Sequence, residues 1–488
     1  MITFFVSIIL LLGGYFLYGT IVERIFGIQT DRQTPAYELA DGVDYVPMSW
    51  PRIFLIQFLN IAGLGPILGA IMGAVYGPAA FLWIVLGSIL GGAVHDYLSG
   101  MMSLRNKGMS LPEISGKYLG TGFKQFLRIF TVLLMILVGT VFVAGPAKLL
   151  ANMTPEYLNY SVWYMIIFIY YILATLLPID KIIGKIYPFF GFAMLFMAVG
   201  IAVAIIWNRA AIPEIIPANL HNMHHDPVKF PIFPMLFISI ACGAISGFHA
   251  TQSPLMARCL KNEREGRRVF YGAMIAEGIV ALIWAAAAMS FFGSVGGLHE
   301  FLKANDNNAA VVVNKIAHTW LGGFGGLLAI IGVIAAPITS GDTAFRSARL
   351  IVADFIKYSQ KETMHRIIVA LPLFIVALIL LQVNFDVIWR YFAWSNQTLA
   401  TFTLWAITVY LAKEKKFYWL TLLPSLFMTM VISTYIVVAP EMLGLSTNIG
   451  YPAGAACTVA TYAVFVWWQM RIRNGHIKSI PETLNLSV

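Results

Sequence analysis

Charge is scarce in this chain. Only 11% of its 488 residues are Asp, Glu, Lys or Arg, whereas soluble globular proteins carry about a quarter. Apolar side chains make up 59% of the residues, and the mean hydropathy is +0.78. This number of polar side chains is too small to cover the surface of a folded protein in water. The composition therefore excludes an ordinary soluble protein and indicates that the chain is surrounded by the hydrocarbon of a membrane.

Cysteines and catalytic motifs are also scarce. The three cysteines, Cys242, Cys259 and Cys457, form no CxxC pair and indicate no disulfide framework. The sequence contains no HExxH, no GxSxG and no Walker A lysine loop. Acids and histidines are dispersed, whereas a membrane enzyme needs them clustered at one depth. We therefore expect neither an enzyme nor a resident cofactor.

One group of polar residues has spacing that zinc can use, but short polar loops often carry such histidines. We therefore expect no metal centre there. The group comprises His221, His224, His225 and Asp226.

Apolar runs of about 20 residues recur along the chain, without the alternation of a β-strand. Inside hydrocarbon every backbone group needs an internal partner, so such runs predict transmembrane helices and an all-α fold. The first run lacks a basic segment before it and predicts a retained helix, not a signal peptide. The predicted spans are 2–22, 52–75, 79–101, 127–146, 161–178, 187–207, 233–256, 269–292, 321–340, 367–383, 388–411, 417–438 and 453–470.

Basic residues indicate the orientation of these helices. With the N-terminus outside and the C-terminus in the cytoplasm, 26 of the 32 Lys and Arg residues fall in or beside inside segments. Cytoplasmic loops of membrane proteins carry this excess. The basic residues of these cytoplasmic loops therefore account for the net charge of +9, and no nucleic-acid partner is expected.

Two predicted spans are interrupted near their centres. The second contains Gly63, Gly65, Pro66 and Gly69, and the seventh has glycines and polar residues through 243–254. Five predicted helices begin at each interruption, and an odd repeat length inverts the second copy. The predicted layout is a leading helix and loop (1–51), a first repeat (52–207), a second repeat (233–411) and two closing helices with a tail (412–488).

Broken first helices in two inverted halves predict a transport site near the membrane midplane. The amides of Ile67, Leu68 and Gly69 are placed to bind a substrate carboxylate at a helix N-terminus. The carbonyls of residues 60–63 are placed to bind a cation. The alternative interpretation is that these glycines only allow close helix packing.

Several long motifs resemble the carbon starvation protein A family, over most of the chain. They are the run 60–70 (NIAGLGPILGA), the runs 91–100 (GGAVHDYLSG) and 105–111, and the run 246–254 (SGFHATQSP). This chain is shorter than the larger enterobacterial members of that family. The resemblance implies a bacterial inner-membrane transporter with the LeuT-like five-plus-five fold of the amino acid–polyamine–cation superfamily.

The resemblance also implies a substrate. Members of the family are described as peptide transporters or as proton-coupled pyruvate transporters, and both substrates carry a carboxylate. We expect a symporter driven by H⁺ or Na⁺ that takes up one of them during carbon starvation. The choice of substrate and of ion, the oligomeric state, a small accessory subunit and the role of loop 23–51 stay open.

Three sets of candidate site residues follow. An acid in mid-span, Glu277, marks a proton carrier or a paired carboxyl that ties helices together. His95 and Asp96 either relay protons or anchor α-helices by hydrogen bonding. In sodium-coupled relatives of the fold, hydroxyls at the positions of Thr339 and Ser340 complete a cation site. The alternative is that these hydroxyls replace the backbone hydrogen bond lost near Pro337.

The predicted substrate-binding residues are Asn60, Gly63, Gly65, Gly69, Gly243, Ser246, Gly247, His249, Thr251, Gln252 and Ser253.

Three other function classes compete with transport. A membrane enzyme is disfavoured by the missing motifs, and a channel does not require paired broken helices. A starvation sensor would need a soluble domain large enough to signal. Coupled transport is the function that the sequence favours.

Overall fold

All regular structure is helical in the computed structural model, which describes residues 1–151, 153–176, 179–305, 307–383 and 385–473. The all-α prediction is confirmed for these residues. The helices are α1 Ile2–Phe26, α2 Trp50–Ile61, α3 Gly65–Ala74, α4 Ala79–Arg105, α5 Leu111–Leu119, α6 Thr121–Ala151, α7 Tyr160–Leu176, α8 Ile179–Trp207, α9 Ile232–Ser239, α10 Gly247–Ala257, α11 Glu263–Phe291, α12 Val295–Ala304, α13 Ala309–Ile356, α14 Thr363–Leu380, α15 Phe385–Lys413, α16 Trp419–Val438 and α17 Thr447–Arg473. Two further segments, Pro35–Glu38 and Pro217–Asn219, each form a single short helical turn, α-helical and 3₁₀ respectively.

Nine helices of the described chain are long and apolar enough to cross a bilayer, and the bent pair α2–α3 makes a tenth candidate. Helices also lie at the three remaining predicted spans, namely α7, the pair α9 and α10, and α15. The total of thirteen spans therefore stays a prediction.

Burial orders the helices from the centre to the rim. In the most apolar stretch of α11, 83% of residues are buried, against 28% in α1 and 17% in α17. Ile9 and Leu17 of α1 are 65% and 72% exposed. Helix α11 packs against α2 and α3, and α10 packs against α2, α4 and α15. Both broken spans therefore lie at the centre of the bundle.

Segments predicted to share one side of the membrane contact one another. The Arg105 side chain donates to Glu263 at 2.9 Å, and the Gln29 amide donates to the same carboxylate at 2.7 Å. We call this end, where residues 23–51, 102–111 and 257–268 meet, the inner end. Which end faces the cytoplasm stays a prediction.

The ninth predicted span, 321–340, is too short. Helix α13 runs from Ala309 to Ile356 and is interrupted only at Gly322, whose φ is 70°. Asp342, Arg346 and Arg349 were expected in a loop, yet they lie in this helix and are buried. The prediction ended the span at residue 340 because charged residues follow it. In the folded protein, residues of other helices and loops surround these charged side chains.

Two short helices occupy segments that were predicted to be loops. Helix α5 follows α4 at the inner end, and α12 follows α11 at the opposite end. Residues 474–488, which hold most of the predicted tail, lie outside the described residues. So do residues 177–178, at the end of the fifth predicted span.

Candidate functional site

The second break, residues 240–246, separates α9 from α10. Gly243 has a φ of 101°, a conformation that would strain a larger residue. Trp83 Nε1 donates to the Ile240 carbonyl at 2.9 Å, and Ser88 Oγ donates to the Gly243 carbonyl at 2.8 Å. Because hydrocarbon cannot satisfy carbonyls freed by a break, these α4 side chains make the interruption tolerable.

Asn396 of α15 holds the start of α10. Its Oδ1 accepts from the Phe248 amide at 2.7 Å, and its Nδ2 donates to Ser246 Oγ at 2.9 Å. Ser246 is the N-cap residue of α10 but makes no capping bond itself, so Asn396 supplies that acceptor from another helix. Asn396 is absent from the residues predicted from sequence, although a polar amide inside the predicted span 388–411 was the available signal.

Four titratable side chains form a continuous buried chain beside the second break. Asp96 on α4 contacts both histidines: His95 Nδ1 lies 2.8 Å from Oδ1, and His249 Nδ1 lies 2.8 Å from Oδ2. His249 Nε2 lies 3.4 Å from Glu277 Oε2 on α11. All four side chains are fully buried. The fold thus joins the predicted coupling residues to His249, which was predicted as a substrate ligand.

The chemistry of this chain follows from its donors and acceptors. An ionised Asp96 has only acceptors, so both Nδ1 atoms that face it carry protons. His249 Nε2 then faces Glu277 either as a lone pair or as a second N–H. The pair can hold a proton or pass it on, which is chemistry that a histidine performs near neutral pH. Cys242 lies beside this pair, and its Sγ, a ring nitrogen of His249 and a carboxylate oxygen of Glu277 are within 4.8 Å of one another.

The first break, residues 62–64, has no titratable side chain. The hydroxyl oxygens of Thr339 and Ser340 on α13 lie 3.2 and 3.1 Å from the Leu59 carbonyl oxygen. They also lie 2.8 and 2.9 Å from the Ala336 carbonyl of their own helix, and each hydroxyl donates to one of the two carbonyls at a time. The two residues predicted to complete a cation site therefore do lie beside the first broken helix. The carbonyl that they reach is Leu59, just before the predicted group of residues 60–63, and Asn60 is fully buried next to it.

The amides of Ile67 and Leu68 are not free, so that part of the carboxylate prediction is wrong. Both donate to the Leu64 carbonyl, at 3.3 and 2.8 Å. Leu64 already has helical φ and ψ angles of −74° and −22°, so the half-helix begins before Pro66 and uses these amides internally. Two of the three predicted anion donors are thereby occupied.

Glycines let the two broken spans pack directly on each other. A Cβ at Gly65 would lie 2.1 Å from the Cβ of Cys242, and a Cβ at Gly69 would lie 2.8 Å from the Ser239 carbonyl oxygen. This contact is the close packing that the alternative interpretation expected. A role of these glycines in substrate binding stays a prediction.

The other predicted polar residues of α10 bond mostly within their own helix. Thr251 Oγ1 donates to the Phe248 carbonyl at 2.6 Å, and Ser253 Oγ donates to the His249 carbonyl at 3.0 Å. Gln252 Nε2 donates to Thr251 Oγ1 at 2.9 Å. All three side chains are buried, one turn or more from the break towards the inner end.

Narrow crevices flank the inner half of α10. One runs between α5, α10 and α13, and its polar lining comes from Ser110, Thr251, Arg258 and Ser347. The other runs between α4, α5, α10 and α15 and is mainly apolar. The first crevice therefore connects the neighbourhood of Thr251 with a cationic side chain at the inner end.

Asp44 ties the loop 23–51 to the inner end. Its carboxylate oxygens lie 3.6 Å from Arg346 Nη1 and 4.0 Å from Arg349 Nη2. Burial raises the pKa of Asp44, but the charges of Arg349, Arg346 and Arg258 outweigh burial and hold the pKa below its ordinary value. The loop is thus fixed by charge beside the crevice that Arg258 lines.

Asp342 on α13 is a further buried acid and was not among the predicted site residues. Tyr170 donates its hydroxyl to Asp342 Oδ2 at 3.2 Å, while Oδ1 has no hydrogen-bond partner within the described residues. The predicted span ended at residue 340, so this acid was assigned to a loop. An acid inside a membrane helix marks a functional position by default.

Comparison with known proteins places the chain. The protein-family model for carbon starvation protein CstA matches residues 1–156, 147–320 and 309–435. An uncharacterized membrane protein of Haemophilus influenzae is 45% identical over 351 residues, which is 62% of this chain and 95% of that protein. A peptide transporter CstA of Campylobacter jejuni is 30% identical over 331 residues, 55% of this chain and 47% of the relative.

The pyruvate/proton symporter BtsT of Escherichia coli is 28% identical over 343 residues, 56% of this chain and 46% of the symporter. The matches thus span about half the length of these two named relatives. Among solved structures, a mutant of the manganese transporter of Eremococcus coleocola shares the fold with a TM-score of 0.56 and 14% identity. That alignment covers 89% of this chain and 99% of the transporter.

The chain is a bundle of apolar helices, and its named relatives are transporters and not enzymes. These findings together support a membrane transporter. The family match extends over most of the described residues. The chain belongs to the family of carbon starvation protein CstA.

Proposed function

We propose that this chain is a cation-coupled symporter for a small carboxylate nutrient such as pyruvate, or for peptides. It spans the bacterial inner membrane with thirteen helices, including two inverted repeats of five, with the N-terminus outside and the C-terminus in the cytoplasm. The relatives named as a peptide transporter and as a pyruvate/proton symporter support both substrate classes. The positive-inside count supports the orientation.

The chain from His95 through Asp96 and His249 to Glu277 carries the proposal. A fully buried series of titratable groups is energetically costly in a membrane, so its presence indicates an ion path by default. Its third member, His249, lies in the first turn of α10, next to the second break. Proton binding at Glu277 can therefore change how α9 and α10 pack, which links the proton to substrate access. H⁺ is the coupling ion that this arrangement favours.

The substrate carboxylate is proposed to bind between the two broken helices, near Asn60 and the start of α10. The route to the inner end is proposed to follow the crevice beyond Thr251, which must widen before a substrate can pass and which Arg258 lines with a positive charge. Because the residues at the breaks are buried, substrate exchange requires the broken helices to move against α4 and α11.

Sodium is the second candidate ion. The hydroxyls of Thr339 and Ser340 converge on the Leu59 carbonyl, which gives three oxygen atoms beside the first break. Hard cations bind such oxygen ligands. A symporter driven by Na⁺ would use this group and leave the histidine chain as a structural element.

Uptake by proteoliposomes separates these alternatives. We would reconstitute the purified protein and measure labelled pyruvate under a proton gradient alone and under a sodium gradient alone, with di- and tripeptides as competitors. Pyruvate accumulation that requires the proton gradient is expected. Accumulation that follows only sodium would reject proton coupling, and saturable peptide uptake without pyruvate uptake would reassign the substrate.

The matched variants are Glu277→Gln and Glu300→Gln. Glutamine keeps the shape of the side chain but cannot release a proton. Glu277→Gln should flatten the dependence of uptake on pH, whereas Glu300→Gln, at an exposed carboxylate on α12, should not. If Glu277→Gln keeps the steep pH dependence of the unmodified protein, Glu277 is not the proton carrier. If the folded, unmodified protein takes up neither pyruvate nor peptides under either gradient, the proposed function is rejected.

A further inference from the structure

Three metal-ligating side chains from different elements meet at the second break. Cys242 comes from the break itself, His249 from the first turn of α10 and Glu277 from the middle of α11. One ligand atom from each, a thiol sulfur, a ring nitrogen and a carboxylate oxygen, lies within 4.8 Å of the other two. Each of these three side chains is buried.

The facing atoms of the histidine and the carboxylate in this group lack hydrogen-bond partners within the described part of the chain, whereas Cys242 Sγ lies 3.4 Å from Ser246 Oγ and 3.6 Å from Asn396 Nδ2. His249 Nε2 and both carboxylate oxygens of Glu277 make no hydrogen bond within the described residues. An unsatisfied buried polar group destabilises the fold, and a charged one does so more strongly. Three such atoms that face one another would all be satisfied by a single cation between them.

Asp96 fixes the histidine in the orientation that a metal ligand needs. Asp96 accepts a hydrogen bond from His249 Nδ1–H at 2.8 Å, which leaves the lone pair on Nε2, facing Glu277, when the ring is neutral. Metal-binding histidines commonly donate their other N–H to a carboxylate in this way. His95 contacts the second oxygen of Asp96 at 2.8 Å and holds that carboxylate in place.

We propose that Cys242, His249 and Glu277 bind one divalent transition-metal ion, with Zn²⁺ as the preferred ion. A thiolate with an imidazole and a carboxylate suits zinc and excludes Mg²⁺ and Ca²⁺, which prefer oxygen ligands alone. Three protein ligands leave a fourth coordination position for a small oxygen ligand. This site goes beyond the proposed transport function, with which it shares His249 and Glu277, and beyond the absence of metal expected from the sequence.

A second histidine group could take up metal and must be controlled for. The rings of His224, His225 and His299 lie 4.4–5.1 Å apart at the end opposite the inner end. Burial lowers the pKa of His224 to about 4, and the neighbouring His225 and His299 act in the same direction, so this ring is neutral at pH 7. A double variant, His225→Ala with His299→Ala, removes this group and leaves the proposed site intact.

The test uses the purified full chain in detergent, stripped with a chelator and then titrated with Zn²⁺ or Co²⁺. One equivalent of Zn²⁺ should bind in competition with a chromogenic chelator, and the double histidine variant should keep it. Co²⁺ should produce a thiolate-to-metal charge-transfer band, because a sulfur ligand is present. Cys242→Ser and Glu277→Gln should each weaken Zn²⁺ binding at least about tenfold, and Cys242→Ser should remove the band. Cys457→Ser, at an exposed cysteine, should change neither.

A cobalt spectrum without the charge-transfer band in the unmodified protein would overturn the proposal, whatever the variants do. Binding that survives Cys242→Ser but disappears in the double histidine variant would also overturn it. Uptake is measured on the same preparations. Proton-driven uptake by protein that never binds zinc rejects the metal site alone. Zinc binding by a protein whose metal-free form shows no carboxylate or peptide uptake rejects the transport proposal alone, because zinc on His249 and Glu277 would itself block the proposed proton carriers.

Discussion

The two broken spans interrupt their helices in similar ways but are surrounded by different chemistry. The first break is met by Thr339 and Ser340, whose hydroxyls contact a backbone carbonyl. The second is met by His249, Asp96 and Glu277, together with a cysteine from the break itself. One break is thus lined by neutral oxygen atoms and the other by titratable groups.

This difference indicates that the two breaks have different roles. Neutral oxygens can hold a cation or a substrate but cannot change charge near neutral pH. The histidine–carboxylate chain beside the second break contains groups that can change charge, so our proposal assigns proton binding to the second break. Variants at the two breaks should therefore differ in kind as well as in size.

The largest effect is expected from Gly247→Ala at the second break. The added Cβ would lie 2.4 Å from the Ala400 amide nitrogen and from the Asn396 carbonyl oxygen, and backbone atoms cannot rotate away. Overpacking costs about 1–3 kcal/mol, and more where the backbone must shift. We expect a lower melting temperature in detergent and little uptake.

The corresponding change at the first break is Gly63→Ala. Its Cβ would meet the ring of Phe142 at 2.6 Å, and a ring can turn, so the loss of stability should be smaller. Gly13→Ala, where no atom lies within 4 Å, is the control for the substitution itself and should not lower the melting temperature. Equal losses at Gly63 and Gly247 would contradict the predicted difference in packing.

Asp96→Asn should reduce proton-driven uptake roughly tenfold to a hundredfold, in line with other residues that orient a functional ligand. Asparagine keeps the size of the side chain but cannot accept from both histidines. The measurement is the initial rate of uptake across a pH series, with Asp226→Asn in the outer loop as the control. An unchanged pH profile for Asp96→Asn would remove the histidine chain from coupling.

A third prediction extends the comparison to the inner end of α13, where Asp44 pairs with Arg346 and Arg349. Asp44→Asn should lower stability by about 1–2 kcal/mol at pH 7, less than a close buried pair because the contacts are 3.6 and 4.0 Å. The Asp44 pKa lies below its ordinary value, so its contribution is complete above about pH 3.9 and is lost as the pH falls through the folded-state pKa. The difference in melting temperature between the two proteins should therefore shrink on acidification. A constant difference down to low pH would show that the charge of Asp44 is not its cause.

The smallest effect is expected from Ser340→Ala at the first break. It removes one hydroxyl contact, worth about 0.5–1.5 kcal/mol, so uptake should fall a few-fold and keep its pH dependence. Initial rates with and without sodium provide the check. A loss as large as that of Asp96→Asn, or a new dependence on sodium concentration, would show that the first break carries the coupling ion.

Much of the fold could be read from the chain because membrane constraints act locally. Apolar runs located helices, and clustered Gly and Pro residues located both breaks. The family resemblance is confirmed. Prediction failed where a charge was assumed to end a helix, as at Asp342 and Arg346, and at Ile67 and Leu68, where an earlier helix start uses the amides.

The site could be predicted only in part. Glu277, His95 and Asp96 stand out in sequence because acids and histidines are costly in hydrocarbon. Their connection through His249 could not be predicted, since Asp96 and His249 are 153 residues apart. Asn396 offered a signal in sequence, a polar amide inside a predicted span, but only its partners in the fold show that it caps α10. Cys242 carries no local pattern that separates it from packing residues.

The sequence by itself determined that this is a membrane protein, that its fold is helical and where two of its spans are broken. It could do so because hydropathy and backbone preference are properties of short segments. The tertiary structure decided which break holds the titratable groups, which helix caps α10 and which loop Asp44 anchors. Those outcomes depend on contacts between side chains more than 100 residues apart, and these contacts are set by how the helices pack.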